Sequence, residues 1–166
     1  MFREMRRNKQ ALSAEESIGV LERALSGVLA VTGDEDYPYA VPLSFVYDAC
    51  GGNGKIYFHC AMAGHKIDAI HRSSKVSFCV VDQDKIVPEE YTTYFRSVIV
   101  FGKIRVLEEE AEKLAAAKKL AVKYAPNDSE SNREHTIREA FTRLCMLELQ
   151  IEHMTGKEAK ELRLGK

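Results

Sequence analysis

The chain has 166 residues, of which 45% are apolar, and sets 24 Lys and Arg against 25 Asp and Glu. That length fits one domain, 1–166, large enough to bury a core, and the even charge leaves no global field to draw the protein to nucleic acid or an anionic membrane. No stretch approaches the roughly 18 apolar residues of a membrane span, and the basic N-terminus MFREMRRNKQ lacks the apolar run of a secretory signal, so a cytoplasmic location is expected.

Ser13 and Glu16 have the spacing of a capping box and predict a helix through about Ser26, with Ile18, Leu21 and Leu25 on its apolar face and Gly27 as its stop. GVLAVT (27–32) predicts a strand, and Gly33, Asp34 and Asp36 a turn. YAVPLSFVYD (39–48) predicts a longer strand. Pro42 cannot donate to a ladder, which places that part at an edge or a bulge. CGGNG (50–54) has the residues of a hairpin turn, and KIYFHC (55–60) returns as a strand. GHKIDAIHRS (64–73) reads as a short helix with Ile67 and Ile70 inward, and VSFCVVD (76–82) as a further strand. Residues 84–94 read as a loop long enough to have a role beyond connection.

FRSVIVFGKIRVLE (95–108) is strongly β-branched, with Gly102 marking a bend or bulge. Residues 108–125, acidic at the start, basic toward the end and followed by Pro126, predict the clearest helix. A short helix over 132–141 and a last strand over 143–156, apolar enough to be covered on both faces, complete the chain, with a tail over about 156–166. About six strands in hairpin-like order, without regular βαβ alternation, predict a mainly β protein with some α structure: a small closed or half-open antiparallel barrel with helices packed outside.

The four cysteines, Cys50, Cys60, Cys79 and Cys145, form no CxxC pair and match no zinc spacing. Cys79 and Cys145 lie in apolar runs and read as small buried hydrophobes. Unpaired thiols agree with a reducing compartment. His59, His65 and His71 are spaced by six, which puts no pair on one helix face and argues against a metal site. No GxGxxG, P-loop, GxSxG or HExxH pattern is present.

Two stretches carry more than structure. In GHK (64–66), a helix start would offer unpaired N–H groups and a positive dipole end to an anion, with Lys66 adding a charge and His65 a donor. On spacing alone, an ordinary helix start with exposed basic residues is the more economical reading. In YAVPLSFVY, main-chain groups freed by the proline suit the edge of a planar heterocycle, or the strand is merely an edge guarded by proline. Arg96 and Ser97 open the long strand and face opposite sides; an arginine there suits a phosphate or is simply exposed.

Taken in order, YAVPLSFVYD, IYFHCAMAGHKIDAI, VSFCVV and YFRSVIVFGKIRVLEE resemble the pyridoxamine 5′-phosphate oxidase-like flavoprotein superfamily, and within it the nitroimidazole-resistance (Nim-type) branch, over roughly residues 1–156. The resemblance implies a split β-barrel that forms a homodimer, with one FMN in each of two clefts at the subunit interface. It assigns Val41, Pro42, Leu43 and Ser44 to the flavin ring, His59 and Cys60 to the motif beside it, and His65 and Lys66 to the phosphate. Ser97, with Arg96 beside it, would reach the flavin from the other subunit.

The implied function is that of an FMN-dependent oxidoreductase passing electrons from NAD(P)H to a small acceptor such as a nitroaromatic. The chain departs from the oxidases in having His65-Lys66 where they have an arginine-lysine pair, which exchanges a fixed charge for a titratable one. The C-terminal segment of the oxidases, with its arginines for the pyridoxal substrate, has no counterpart in TGKEAKELRLGK, which argues against vitamin B6 oxidation. The alternative is a flavin- or haem-binding split-barrel protein without catalysis, with His59 or His71 as an axial ligand.

Overall fold

The computed structural model describes residues 1–164. In chain order the elements are α1 (Ala14–Arg23), β1 (Ser26–Thr32), β2 (Pro38–Asp48), β3 (Lys55–Cys60), α2 (His65–Arg72), β4 (Lys75–Val87), β5 (Thr92–Val106), α3 (Glu110–Tyr124), α4 (Glu130–Ala140), β6 (Cys145–Glu158) and α5 (Lys160–Leu164). The six strands close into a ring in the order β1-β2-β3-β6-β5-β4, every pair antiparallel. This is the expected mainly β split barrel with helices outside. No helix among the described residues is long and apolar enough to cross a membrane.

The capping box forms as its spacing predicts: Ser13 Oγ accepts the Glu16 N–H at 3.0 Å, and Glu16 accepts the Ser13 N–H at 2.8 Å. Three expectations need correction. First, α1 ends at Arg23, and Gly27 does not stop it but lies within β1. A Cβ at Gly27 would fall 2.7 Å from the Cys79 carbonyl oxygen and into the Phe78 ring, so the glycine is there for close packing.

Second, residues 84–94 are not a loop. They form the tip of the β4–β5 hairpin, with Lys85 opposite Tyr94 and Val87 opposite Thr92. β-Branched and aromatic residues carry the ladder outward, Pro88 interrupts it, and Tyr91 turns the chain in the left-handed region (φ 48°, ψ 41°). Third, the C-terminal tail is structured: β6 runs on to Glu158 and α5 follows. Arg163 reaches back to Glu16 at 3.0 Å. The end of the expected tail, 165–166, lies outside the described residues.

The barrel interior is filled by alternate residues of each strand. Phe78 packs edge-to-face against Phe45 and Phe58, with ring centroids 4.9 and 5.0 Å apart. Gly102 sits at a register shift between β5 and β6, where a Cβ would collide with the Gln150 carbonyl, as its position in a β-branched run predicts.

The outside of the barrel is divided. The outer residues of β2, β3 and β6, including Val46, Tyr57 and Met146, are buried under Ala116, Ala117 and Leu120 of α3 and Ile137 of α4. Among the described residues, no helix packs over the outer face of β1, β4 and β5. There, one cross-strand row runs Pro42–Val28–Cys79–Ile99–Thr155. Val28 and Ile99 of that row are each 40% exposed, and Val81 two residues along from Cys79 is 62% exposed.

Candidate functional site

The site begins where the barrel splits. β2 pairs with β1 over 38–44 and with β3 over 45–48, and Phe45 opposite Phe58 is the last pair on the β3 side. Beyond it, Ser44 and His59 do not pair with each other, and the two strands diverge. The half of β2 that carries Pro42 is therefore an open edge, in agreement with the proline.

The main-chain direction along that edge follows from one hydrogen bond. Phe45 N–H does not point to β3 but donates to the Tyr124 hydroxyl at 3.1 Å, and that hydroxyl donates to the Leu25 carbonyl oxygen. Tyr124 thus bridges the β1–β2 ladder where it runs out. Main-chain groups alternate sides along a strand, so the amides of Val41 and Leu43 face β1. Those of Ala40 and Ser44, with the Pro42 carbonyl, face the split. Proline sits where no ladder donor is lost.

The side chains sort the other way. Val41 and Leu43 point into the barrel and pack against the core, whereas Pro42 is exposed on the bare face. Ser44 and His59 share a cavity of about 360 Å³ that opens between the barrel and the α3–α4 pair. Leu120, Tyr124, Thr136, Ile137 and Met146 form most of its remaining wall. Among the described residues, the side chains of Ser44, His59 and Thr136 make no intramolecular hydrogen bond, so polar groups stand free at an otherwise apolar wall.

From Cys60 the chain passes through 61–64 into α2. Gly64 has φ 124° and ψ 170°, a conformation that favours glycine and delivers the first turn of the helix. Ile67 and Asp68 return their N–H groups to the Gly64 carbonyl, which leaves those of His65 and Lys66 outside the helix ladder. Lys66 is half-buried and, among the described residues, has no acidic partner.

His65 is differently placed from what an anion ligand needs. Its Nε2 accepts the Asp34 N–H at 3.2 Å, and its ring stacks on Tyr39 with centroids 4.2 Å apart. Asp34 is also held by Arg72 at 2.8 Å. His65 therefore pins the β1–β2 turn to α2, and Lys66 is the open cation of the pair.

Arg96 is also engaged. Its Nε donates to the buried Glu158 carboxylate at 2.8 Å and its Nη1 to Asp82 at 3.2 Å, while Asp82 is gripped on its other side by Arg23. Burial raises the Asp82 carboxyl, but Arg23 and Arg96 outweigh it and hold the group below its ordinary value. Ser97 faces outward between Val81 and Lys157. The row containing its neighbour Ile99 places three strand spacings, roughly 14 Å, between β5 and Pro42, so Ser97 does not join Ser44 and His59 within one chain.

Cys60 stands directly opposite Cys145 across the β3–β6 ladder, and each thiol shifts the ionisation of the other. Sequence reasoning missed Cys145, Tyr124 and Thr136 as parts of this region. No local pattern marks them, because their positions depend on strand register and on how the helical pair docks.

A profile of the pyridoxamine 5′-phosphate oxidase family matches residues 13–158. The chain belongs to that family. The same fold recurs in solved structures similar to this chain. One is a candidate 5-nitroimidazole antibiotic resistance protein of Bacteroides thetaiotaomicron, with a TM-score of 0.72 at 21% identity over 89% of this chain and 85% of that one. A FAD-binding protein of Mesorhizobium loti gives 0.64 at 24% identity over 90% and 97%. A FAD and haem binding protein of Mycobacterium smegmatis gives 0.71 at 19% identity over 95% and 80%. At these identities the likeness is one of fold. Among curated proteins no sequence matches.

Proposed function

We propose that this member of the pyridoxamine 5′-phosphate oxidase family binds FMN at the β2–β3 split and serves as an oxidoreductase for a small flat acceptor of nitroaromatic type. The observation that carries the reading is the split itself. Free main-chain groups of Ala40, Pro42 and Ser44 line one side, and the free Lys66 ammonium with the first N–H groups of α2 lies beyond the end of β3. That donor set suits a planar heterocycle with one phosphate: neutral, directional groups for the ring edge, and a cation with a helix start for the anion. His65 and Arg96 would contribute indirectly, by fixing the turn and the strand end.

Flavin, when bound, supplies the electron transfer from NAD(P)H to the acceptor. The chain's own residues bind and orient. The apolar cavity beside Ser44 and His59 would receive the acceptor, its aliphatic wall excluding water while the free hydroxyls and imidazole meet the acceptor's polar substituent. No acid or base from the protein is required. A FAD-binding protein is among the similar folds, and Lys66, the one lysine or arginine of α2 without an acidic partner among the described residues, supports FMN over the larger dinucleotide.

The site as proposed is completed by a second copy of the chain. Three features support a homodimer: the bare outer face, the β4–β5 hairpin whose Ile86 is 71% exposed, and the position of Ser97 away from the split in its own chain. A haem reading competes because the His59 imidazole is exposed at the mouth of an apolar cavity.

The visible spectrum of the purified protein, followed by heat release and mass identification of any chromophore, separates these readings. Released FMN supports the proposal, and a haem spectrum defeats it. Lys66→Ala should weaken FMN binding by about 10- to 100-fold, from the loss of a charged contact worth about 1.5–3 kcal/mol. Unchanged affinity would remove the phosphate assignment.

A further inference from the structure

We propose that Cys60 and Cys145 form a cross-strand oxidation site, closing to a reversible disulfide when the protein meets a hydroperoxide. The two residues are directly opposed in the β3–β6 register, so their side chains stand on the same face of the sheet. Opposed residues in an antiparallel pair have Cα atoms about 4.5–5.5 Å apart, inside the roughly 4.4–6.8 Å that a disulfide spans. The register therefore puts the two residues within the reach of a disulfide. Cys50 on its exposed loop and Cys79 on the bare face have no such partner.

The surroundings favour the chemistry. The neighbouring Cys60 thiol draws the Cys145 thiol down against the opposing effect of burial, and the charges of Lys113 and Lys66 help. Its Cys145 neighbour and burial hold the Cys60 thiol up. In the step that follows, Cys145 acts as the nucleophile and Cys60 as the protonated thiol beside it. Cys145 is nearly buried and Cys60 half-buried, which selects a water-sized oxidant over a bulky disulfide.

The Cys145 thiolate attacks one oxygen of hydrogen peroxide. An S–O bond forms, the O–O bond breaks, and hydroxide leaves to take up the proton released by the thiol, giving water and a sulfenic acid. Cys60 sulfur then attacks Cys145 sulfur. The S–S bond forms, the S–O bond breaks, and hydroxide departs with the Cys60 proton as a second water. Two thiols lose two electrons, and one peroxide gains them. The bridge would tether the end of β3, from which residues 61–64 lead to Lys66, and so would act on the segment that frames the split.

The test uses the full-length chain and needs no bound flavin, so its result is independent of the cofactor reading. After brief exposure to hydrogen peroxide, the denatured protein is alkylated, digested and mapped by mass. The expected result is a peptide pair joining Cys60 to Cys145 with the loss of two free thiols, restored by dithiothreitol and retained in Cys50→Ser/Cys79→Ser. In Cys60→Ser, shown to be folded by circular dichroism, Cys145 should instead proceed to the sulfinic acid. Full alkylation of both Cys60 and Cys145 after exposure that oxidises Cys50 would overturn the proposal, as would a link that needs Cys50 or Cys79.

Discussion

The outer face of β2, β3 and β6 lies under α3 and α4, whereas the outer face of β1, β4 and β5 lies bare, although both present apolar side chains. On the covered face, Met146, Val46 and Tyr57 meet alanines and leucines of the helices. Buried Glu148 is enclosed there by Lys55 at 2.8 Å, Arg105 at 2.9 Å and the Tyr57 hydroxyl at 3.2 Å. On the bare face, Val28, Val81 and Ile99 have only their strand neighbours beside them and stay 40–62% exposed, with no helix over them among the described residues. Similar surfaces acquire different meanings from what covers them: one is core, and the other is a contact surface of the kind that marks association.

Four changes would break or sharpen this comparison. Met146→Ala, at a fully buried position of the covered face, should cost about 2–5 kcal/mol in urea unfolding through lost packing and the cavity left behind. A cost below 1 kcal/mol, on the order of a surface substitution, would mean that the helices do not seal this face.

Acid should act next. Burial raises the Glu148 carboxyl, but Lys55 and Arg105 outweigh burial and hold it below its ordinary value. A carboxyl depressed in the folded state contributes stability that is full above its unfolded value, about 4.3, and is lost as pH falls through its folded value. The midpoint of urea unfolding should therefore drop below about pH 4, and Glu148→Gln should flatten that drop.

Tyr124→Phe, which removes the hydroxyl between the Phe45 N–H and the Leu25 carbonyl, should cost about 1–2 kcal/mol and leave the barrel folded. Hydrogen exchange at Phe45 is the direct readout. The smallest change in intrinsic stability, within about 0.5 kcal/mol, is expected for Ile99→Ser combined with Val81→Ser on the bare face. The same pair should shift light scattering from dimer to monomer. A dimer of undiminished strength would place the contact elsewhere.

Much of the fold was legible locally. The capping box at Ser13, the glycine-rich turn at 50–54, the acidic start and basic end of α3, and the proline in β2 each act within a few residues, and each occurs in the structure as read. The extended hairpin over 84–94 was misread because Pro88 and two glutamates give a turn the composition of a loop, while ladder pairing is decided across strands. Within the site, the start of α2 at Gly64 was legible.

The occupation of His65 by Asp34 and of Arg96 by Glu158 was not, since those partners lie 31 and 62 residues away. The pairing of Cys60 with Cys145 was hidden for the same reason. An apolar run around a cysteine signals burial, but only register says what stands opposite.

The sequence by itself determined most of the strands and helices, where the barrel would bend at Gly102, and which edge could tolerate a proline. These follow from backbone propensity, steric bulk and missing donors, all properties of neighbouring residues. Tertiary structure alone decided which basic side chain stays free, which outer face is covered, and which two thiols meet. Ion pairs, cavities and cross-strand contacts are set by ring order and register, which bring together residues that no local interaction connects.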